Sequence, residues 1–189
     1  MNQPDTIEKL KKGDTTVFGD LVNEWQGMVY NTALSIVQND EDAEDITQEV
    51  FVQLHESLAS LRGEAMLSTW LYRVTINKAL DHEKKKSRQK RGGFLKSFFI
   101  KYESDEPGHF NHPGLLAENK ENAAVLFYAL KKLPDSQRIA FILHKIEGRS
   151  YGEISLITGN SIMAVESLLA RAQSNLRKIL KTWYEKNLK

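Results

Sequence analysis

Apolar residues recur at three- and four-residue spacing along most of this chain, and that period predicts an all-α fold. Residues 5–38 read as two helices. Ile7 and Leu10 begin a short one that breaks at Lys12-Gly13-Asp14, and Phe18, Leu21, Val22, Trp25, Val29, Leu34 and Val37 carry a longer one to Gln38 as core. Asn39-Asp40-Glu41-Asp42 supplies a cap acceptor and carboxylates for a first turn, where the helix dipole favours them. The helix it starts buries Ala43, Ile46, Val50, Phe51 and Leu54 on its way to Leu58. A Gly-containing loop then leads to a third long helix, with Ser68 as its expected cap. One of its faces carries Leu67, Leu71, Val74 and Lys78, and another carries Trp70, Arg73, Asn77, Asp81 and Lys84.

From Ser87 the period dissolves into a basic run, Gly92-Gly93, three Phe and a stretch of acidic, Gly, Pro and His residues. That composition predicts a linker, with Phe94–Ile100 as a short docking segment and His109 and His112 as loop histidines. Helical order returns near Leu116, with Ala123, Leu126, Phe127, Leu130 and Leu133 in one stripe. Pro134 and Asp135 open the next helix, which buries Ile139, Ile142, Leu143 and Ile146 and ends at Gly148. Ser150-Tyr151-Gly152-Glu153 fits a capping box. It starts a short helix through Ile154 and Ile157, closed by Thr158-Gly159-Asn160. Ser161 caps a last long helix bearing Val165, Leu168, Leu169, Ala172, Leu176, Ile179 and Leu180. A short helix, a Gly turn and a capped second helix form a helix-turn-helix pattern. The chain thus reads as two small helical domains joined by a flexible linker, the C-terminal one a helix-turn-helix. The expected boundaries are 1–90, 91–117 for the linker, and 118–189.

Charge sharpens this picture. The net charge of +1 over 189 residues conceals an asymmetry. Residues 1–60 carry about −9, 61–101 about +8, 102–119 about −4 and 120–189 about +6. Two basic blocks separated by an acidic connector suit two contacts with a polyanion, whereas the acidic first third suits a basic protein surface or solvent. With no Cys in the chain, disulfides, thiolate zinc sites and cysteine nucleophiles are excluded. The polar N-terminus resembles no signal peptide, and no run approaches the roughly 18 apolar residues of a membrane span, so a cytoplasmic protein without membrane insertion is expected.

The candidate chemistry follows from the faces. Trp70, Arg73 and Asn77 combine a ring that stacks on unpaired bases with groups that read base edges. Lys84 extends that face with a cation for phosphates, and Lys85, Lys86 and Arg88 continue the basic run after it. A helix-turn-helix enters the major groove by the start of its second helix, which offers Ser161, Met163, Ala164, Glu166, Ser167, Ala170 and Arg171. The helix from residue 40 shows Asp42, Asp45, Gln48, Glu49 and Gln53 outward, a polar-acidic docking face for another protein. A carboxylate metal site there would need a partner histidine, and only His55 is near.

Three strings, in order, carry a resemblance. Asp42-Ala43-Glu44-Asp45-Ile46-Thr47-Gln48-Glu49-Val50-Phe51 is the first. Arg62-Gly63-Glu64-Ala65 with Ser68-Thr69-Trp70-Leu71-Tyr72-Arg73, Asn77 and Asp81 is the second. Leu133-Pro134, Gly148, Ser150-Tyr151, Glu153-Ile154, Gly159, Val165-Glu166-Ser167, Leu169 and Arg171-Ala172 make the third. Together, over roughly 14–90 and 118–182, the chain resembles the bacterial RNA polymerase sigma factors of the extracytoplasmic-function group. The resemblance implies a promoter-specificity subunit with no cofactor and no active site of its own. It implies that Asp42, Asp45, Gln48 and Glu49 meet the β′ clamp helices of RNA polymerase core, with the β flap as a further core contact. It also implies that Arg62, Gly63, Trp70, Arg73 and Asn77 open and hold the minus-ten element of promoter DNA, that the following cations grip phosphates, and that Ser167, Ala170 and Arg171 face the minus-thirty-five element. A membrane-anchored anti-sigma factor is the implied regulator. The chain departs from the family at Glu166 and Leu168, where basic residues are common, and at Leu61, where an aromatic is common. Promoter sequence therefore does not carry over from relatives.

Two other readings use the same residues. A stand-alone helix-turn-helix regulator with a helical sensing domain would dimerise and bind palindromic duplex without polymerase. An all-helical carboxylate metalloenzyme would need inward-facing carboxylate and histidine pairs.

Overall fold

The computed structural model describes residues 8–58, 65–93 and 120–187, and among these every regular element is helical. Seven helices are named here: α1 (Thr15–Val37), α2 (Asp40–Ser57), α3 (Ala65–Gly93), α4 (Lys120–Lys131), α5 (Asp135–Phe141), α6 (Tyr151–Thr158) and α7 (Ile162–Asn187). The expected linker core and the loop holding Arg62 and Gly63 lie outside the described residues.

Local chemistry sets most of the boundaries. Gly13, at φ +82°, ends a short helical turn, and the carboxylate of Asp14 then accepts from the amides of Thr16 and Val17 at 3.0 and 3.2 Å to start α1. Asn39 caps α2 by accepting from the Asp42 amide at 2.8 Å, with Asp40, Glu41 and Asp42 in the first turn. Ser150 and Glu153 form the reciprocal capping box of α6, and Gly159 at φ +73° closes it. The Ser161 hydroxyl accepts from the Ala164 amide at 3.2 Å, starting α7.

Three boundaries differ from the sequence expectation. Ser68 does not cap α3, because the helix already begins at Ala65; Ala65, Met66 and Leu67 are strong helix formers and carry it back by a turn. The same helix continues past Ser87 to Gly93, since Lys, Arg and Gln sustain a helix without an apolar face. After α5 the chain widens into a π turn over Ile142–Ile146, where the Glu147 amide reaches back to Ile142 O and Gly148 turns the chain at φ +67°.

Packing then follows the apolar stripes. Leu21, Val29, Ala33, Leu34 and Ile36 of α1, Ile46, Val50 and Leu54 of α2, and Leu71, Ile76 and Ala79 of α3 fill a three-helix core. Truncating a fully buried leucine here, such as Leu34 or Leu54, would cost about 2–5 kcal/mol. In the C-terminal domain Val165, Leu169, Ala172 and Leu176 form the buried stripe of α7. Phe127, Leu130 and Leu133 meet its second half. Its first half joins Ile139, Ile142, Leu143, Ile154 and Ile157 in a cluster continuous with the N-terminal core. The two domains therefore touch through apolar surface, chiefly α6 against α3.

Candidate functional site

Three exposed faces hold the candidate residues. The first is the outer side of α2. Asp45, Gln48 and Glu49 are exposed there, and Val52 stands among them with 59% of its surface open. Beside it an apolar groove is floored by Phe18 and Phe51, with His55 packed edge-on to Phe18 at 5.3 Å. An exposed apolar side chain ringed by polar and acidic ones is how a protein-binding patch is built, with a dry centre and a polar rim. Asp42 sits differently from its neighbours. It is half-buried and holds His82 at 3.1 Å and Lys86, so its charge is engaged within the chain. Glu49 similarly bonds Lys78 at 3.0 Å, although its carboxylate remains largely exposed. Val52 was missed in the sequence; its signal was an apolar residue one position off the buried stripe of an acidic helix.

The second face lies along α3. Arg73, Asn77, Asp81, Lys84, Lys85 and Arg88 are exposed on it, and Lys86 is exposed while reaching Asp42. Trp70 is half-buried and packs against the core, so only part of its ring surface is open for stacking. Arg73 makes the most telling contacts. Its Nε donates to Ile157 O at 3.0 Å and its Nη2 donates to Leu156 O, both at the end of α6.

The third face is the start of α7. Ser161, Met163, Glu166, Ser167, Ala170 and Arg171 are exposed, and Ala164 is half-buried. Met163 is 81% open and Ile162 is also exposed, which gives the helix an apolar tip suited to thymine methyl groups. Arg171 donates from Nε to Ser167 O at 3.2 Å, which lays its guanidinium along the helix. In the capping box beneath, hydrogen bonds from Ser150 hold the Glu153 carboxyl below its usual range.

Between the faces lies a polar seam that sequence reading did not find. Arg138 is only 3% exposed and forks onto Glu83, with Nη1 to Oε1 at 3.2 Å and Nη2 to Oε2 at 2.6 Å, while Asp135 lies 3.0 Å from Nη2. The Gln38 side chain donates to Phe127 O at 2.8 Å from a residue held at φ 55°. Tyr72 donates to Glu147 at 3.3 Å, with the Arg149 guanidinium 5.7 Å from its ring. Burial raises the Tyr72 hydroxyl and the Glu147 carboxyl above their ordinary values. Among the described residues no group of three or more His, Asp or Glu side chains could hold a metal ion, and no helix is long and apolar enough to cross a membrane.

Two helical domains with an acidic face around an exposed valine on α2, a tryptophan- and cation-bearing face on α3, and a helix-turn-helix fit the class of DNA-directing subunits. Known proteins specify it further. The sigma-70 region 2 model matches residues 21–89 and the sigma-70 region 4 model matches residues 125–176, together well over half of the chain. The chain is 29% identical over 171 residues to the ECF RNA polymerase sigma-E factor of Escherichia coli K12, covering 88% of each. It is 27% identical over 176 residues to the RNA polymerase sigma-H factor of Pseudomonas aeruginosa, covering 92% of this chain and 91% of that relative. Its fold resembles CnrH, solved in complex with the cytosolic domain of CnrY, at a TM-score of 0.66 and 23% identity over 94% of this chain and 96% of that one. It also resembles the sigma factor RpoE of Bartonella quintana, solved with the anti-sigma factor NepR, at a TM-score of 0.66 and 24% identity over 87% of this chain and 96% of that one. The chain belongs to the sigma-70 family, in its extracytoplasmic-function group. It is a sigma factor, a DNA-binding subunit that joins RNA polymerase core at promoters to start transcription.

Proposed function

We propose a division of that task among particular residues of this chain. Residues 1–90 bind core and the minus-ten element, 91–117 link, and 118–189 bind the minus-thirty-five element. Asp45, Gln48 and Glu49 around Val52 dock on the β′ clamp helices, and the C-terminal domain meets the β flap. Asp42 contributes indirectly, by anchoring His82 and Lys86 of α3 onto α2. Arg62, Gly63, Trp70, Arg73 and Asn77 open and hold the minus-ten strand, with Lys84, Lys85, Lys86 and Arg88 against its phosphates. Ser161, Met163, Ala164, Glu166, Ser167, Ala170 and Arg171 read the upstream element. Glu166 accepts from cytosine N4 and Met163 contacts thymine methyl. The chain works in the cytoplasm and carries no active site of its own; the polymerase supplies the chemistry. A membrane-anchored anti-sigma factor holds it in reserve, a reading supported by two fold relatives solved with protein partners, one of them named an anti-sigma factor.

The observation that carries this division is the order of faces along one chain. An acidic patch with an apolar centre comes first, a stacking and cationic helix second, and a capped helix-turn-helix last. A band shift of labelled promoter fragments, with and without polymerase core, tests it. Sequence-specific retention that requires both core and this chain is expected. Specific retention by the chain alone, on palindromic duplex, would favour the stand-alone regulator instead.

A further inference from the structure

The exposed side of α7 continues well past the residues assigned to base reading. Ser167, Ala170, Ser174, Arg177, Lys178 and Lys181 recur on it at three- and four-residue spacing, opposite the buried stripe of Val165, Leu169, Ala172 and Leu176. Its character changes along the helix. Near the start its charges are Glu166 and Arg171, which cancel, and the Arg171 guanidinium is drawn back along the helix by Ser167 O. From Arg177 to Lys181 it carries three cations and no carboxylate. Arg177 and Lys178 have no carboxylate partner among the described residues. Lys181 meets Glu185 at 3.8 Å with both side chains mostly in water. A surface pair of that kind contributes little, so Lys181 is free to exchange it for an external anion.

We propose that Arg177, Lys178 and Lys181 form a phosphate grip on duplex DNA, holding the backbone that borders the major groove whose bases the start of α7 reads. The inference rests on the reading of that helix start as the minus-thirty-five contact. Ser167 and Lys181 stand about 21 Å apart along the axis at ~1.5 Å per residue, whereas the major groove is ~12 Å wide. A helix lying lengthwise in the groove therefore passes from base edges to the phosphates at the rim within that span. One standing end-on would carry Lys181 clear of a groove only ~8.5 Å deep, so the grip also fixes how α7 lies. The partner is DNA rather than an acidic protein because the cations share a side with the base-reading residues. Docking the helix start turns them toward the duplex. Phosphate contacts add affinity without sequence preference, which offsets the neutral charge of the reading end. The three positions follow the end of the residues matched to sigma-70 region 4, 125–176, so the family pattern does not supply them.

Holoenzyme reconstituted from core and the full chain is bound to a labelled promoter fragment. Wild type is compared with a triple Arg177→Gln, Lys178→Gln, Lys181→Gln variant and with a charge-retaining Arg177→Lys, Lys178→Arg, Lys181→Arg variant. Affinity is measured across salt, and ethylation interference maps the phosphates that binding needs. Losing three phosphate contacts should flatten the slope of log affinity against log salt by about 2.7, so the wild-type advantage should shrink roughly 40-fold between about 50 and 200 mM salt. About three phosphates beside the minus-thirty-five element should drop out of the interference map, one for each cation removed. The charge-retaining variant should restore both readouts. Gln sustains a helix, so far-UV circular dichroism should not change; if helical signal is lost, the single variants carry the test, each flattening the slope by about 0.9. An unchanged slope with an unchanged map would overturn the proposal. So would weaker binding of the Gln variant to core without DNA beside an unchanged map, which would assign the cations to an acidic protein surface. A wild-type map with no phosphate beside the minus-thirty-five element would sink the reading of the helix start, and the grip with it, whereas a wild-type map that the Gln variant reproduces sinks the grip alone.

Discussion

Replacing Glu83 with Gln should destabilise the folded chain more than replacing both members of its ion pair. Arg138 is 3% exposed and Glu83 is 22% exposed, so the guanidinium is the more deeply desolvated partner. Removing one partner of a buried pair costs about 3–5 kcal/mol, because a charge is left without compensation. Asp135 stays 3.0 Å from Nη2 but is half in solvent, so it offsets part of that loss, and about 2 kcal/mol is expected for Glu83→Gln. The Nε of Arg138 already lacks a partner, so the site has no spare acceptor to absorb the change. Arg138→Met leaves Glu83 able to hydrate and should cost about 1 kcal/mol, and the double variant no more, since an apolar replacement of a buried pair is often close to neutral. The coupling across the cycle is then about 2 kcal/mol. Urea unfolding of the full chain, followed by far-UV circular dichroism, measures all three. Additive losses, with coupling below about 0.5 kcal/mol, would refute the view that this pair joins the domains.

Other consequences follow from single groups. Asp45→Asn with Glu49→Gln should weaken core binding by roughly tenfold at low salt and less at high salt, measured by fluorescence anisotropy, because both side chains are exposed and their attraction is screened. Ser150→Ala should lower stability by about 1 kcal/mol through loss of the α6 cap, read as a lower Tm. The raised carboxyl of Glu147 favours the protonated fold, so its contribution is full below the usual carboxylate range and is lost as pH rises through its folded value. Glu147→Gln should therefore hold or gain stability relative to wild type near neutral pH, and the gap should close as pH falls into the usual carboxylate range. A gap that widens on acidification would contradict the burial argument.

How much of this was legible in the sequence depends on the range of the interaction. The caps at Asn39, Ser150 and Ser161 and the turn at Gly159 involve partners within four residues, and reading the string located them. Ser68 misled because a capping residue inside a run of helix formers is indistinguishable, locally, from one at its start. The exposed positions of Arg73 and Asn77 followed from the helical period. The contact of Arg73 with Leu156 and Ile157 did not, because no local pattern reports a partner more than eighty residues away. Arg138 was passed over for the same reason: in the run Gln137-Arg138-Ile139-Ala140 a cation reads as the solvated side of a helix, and only the distant Glu83 makes burial tolerable. The π turn over Ile142–Ile146 has no spacing signature that separates it from an α-helix ending at Gly148.

The most direct test of the account is initiation itself. Run-off transcription from a promoter that the holoenzyme recognises is compared for wild type, Arg73→Ala and Asn77→Ala, with core binding measured alongside. Both side chains are exposed, so folding and core binding should stay intact while initiation falls by roughly tenfold or more, the scale of losing a contact worth about 1–3 kcal/mol. Full-strength initiation by both variants, with core bound normally, would contradict the claim that α3 holds the melted strand.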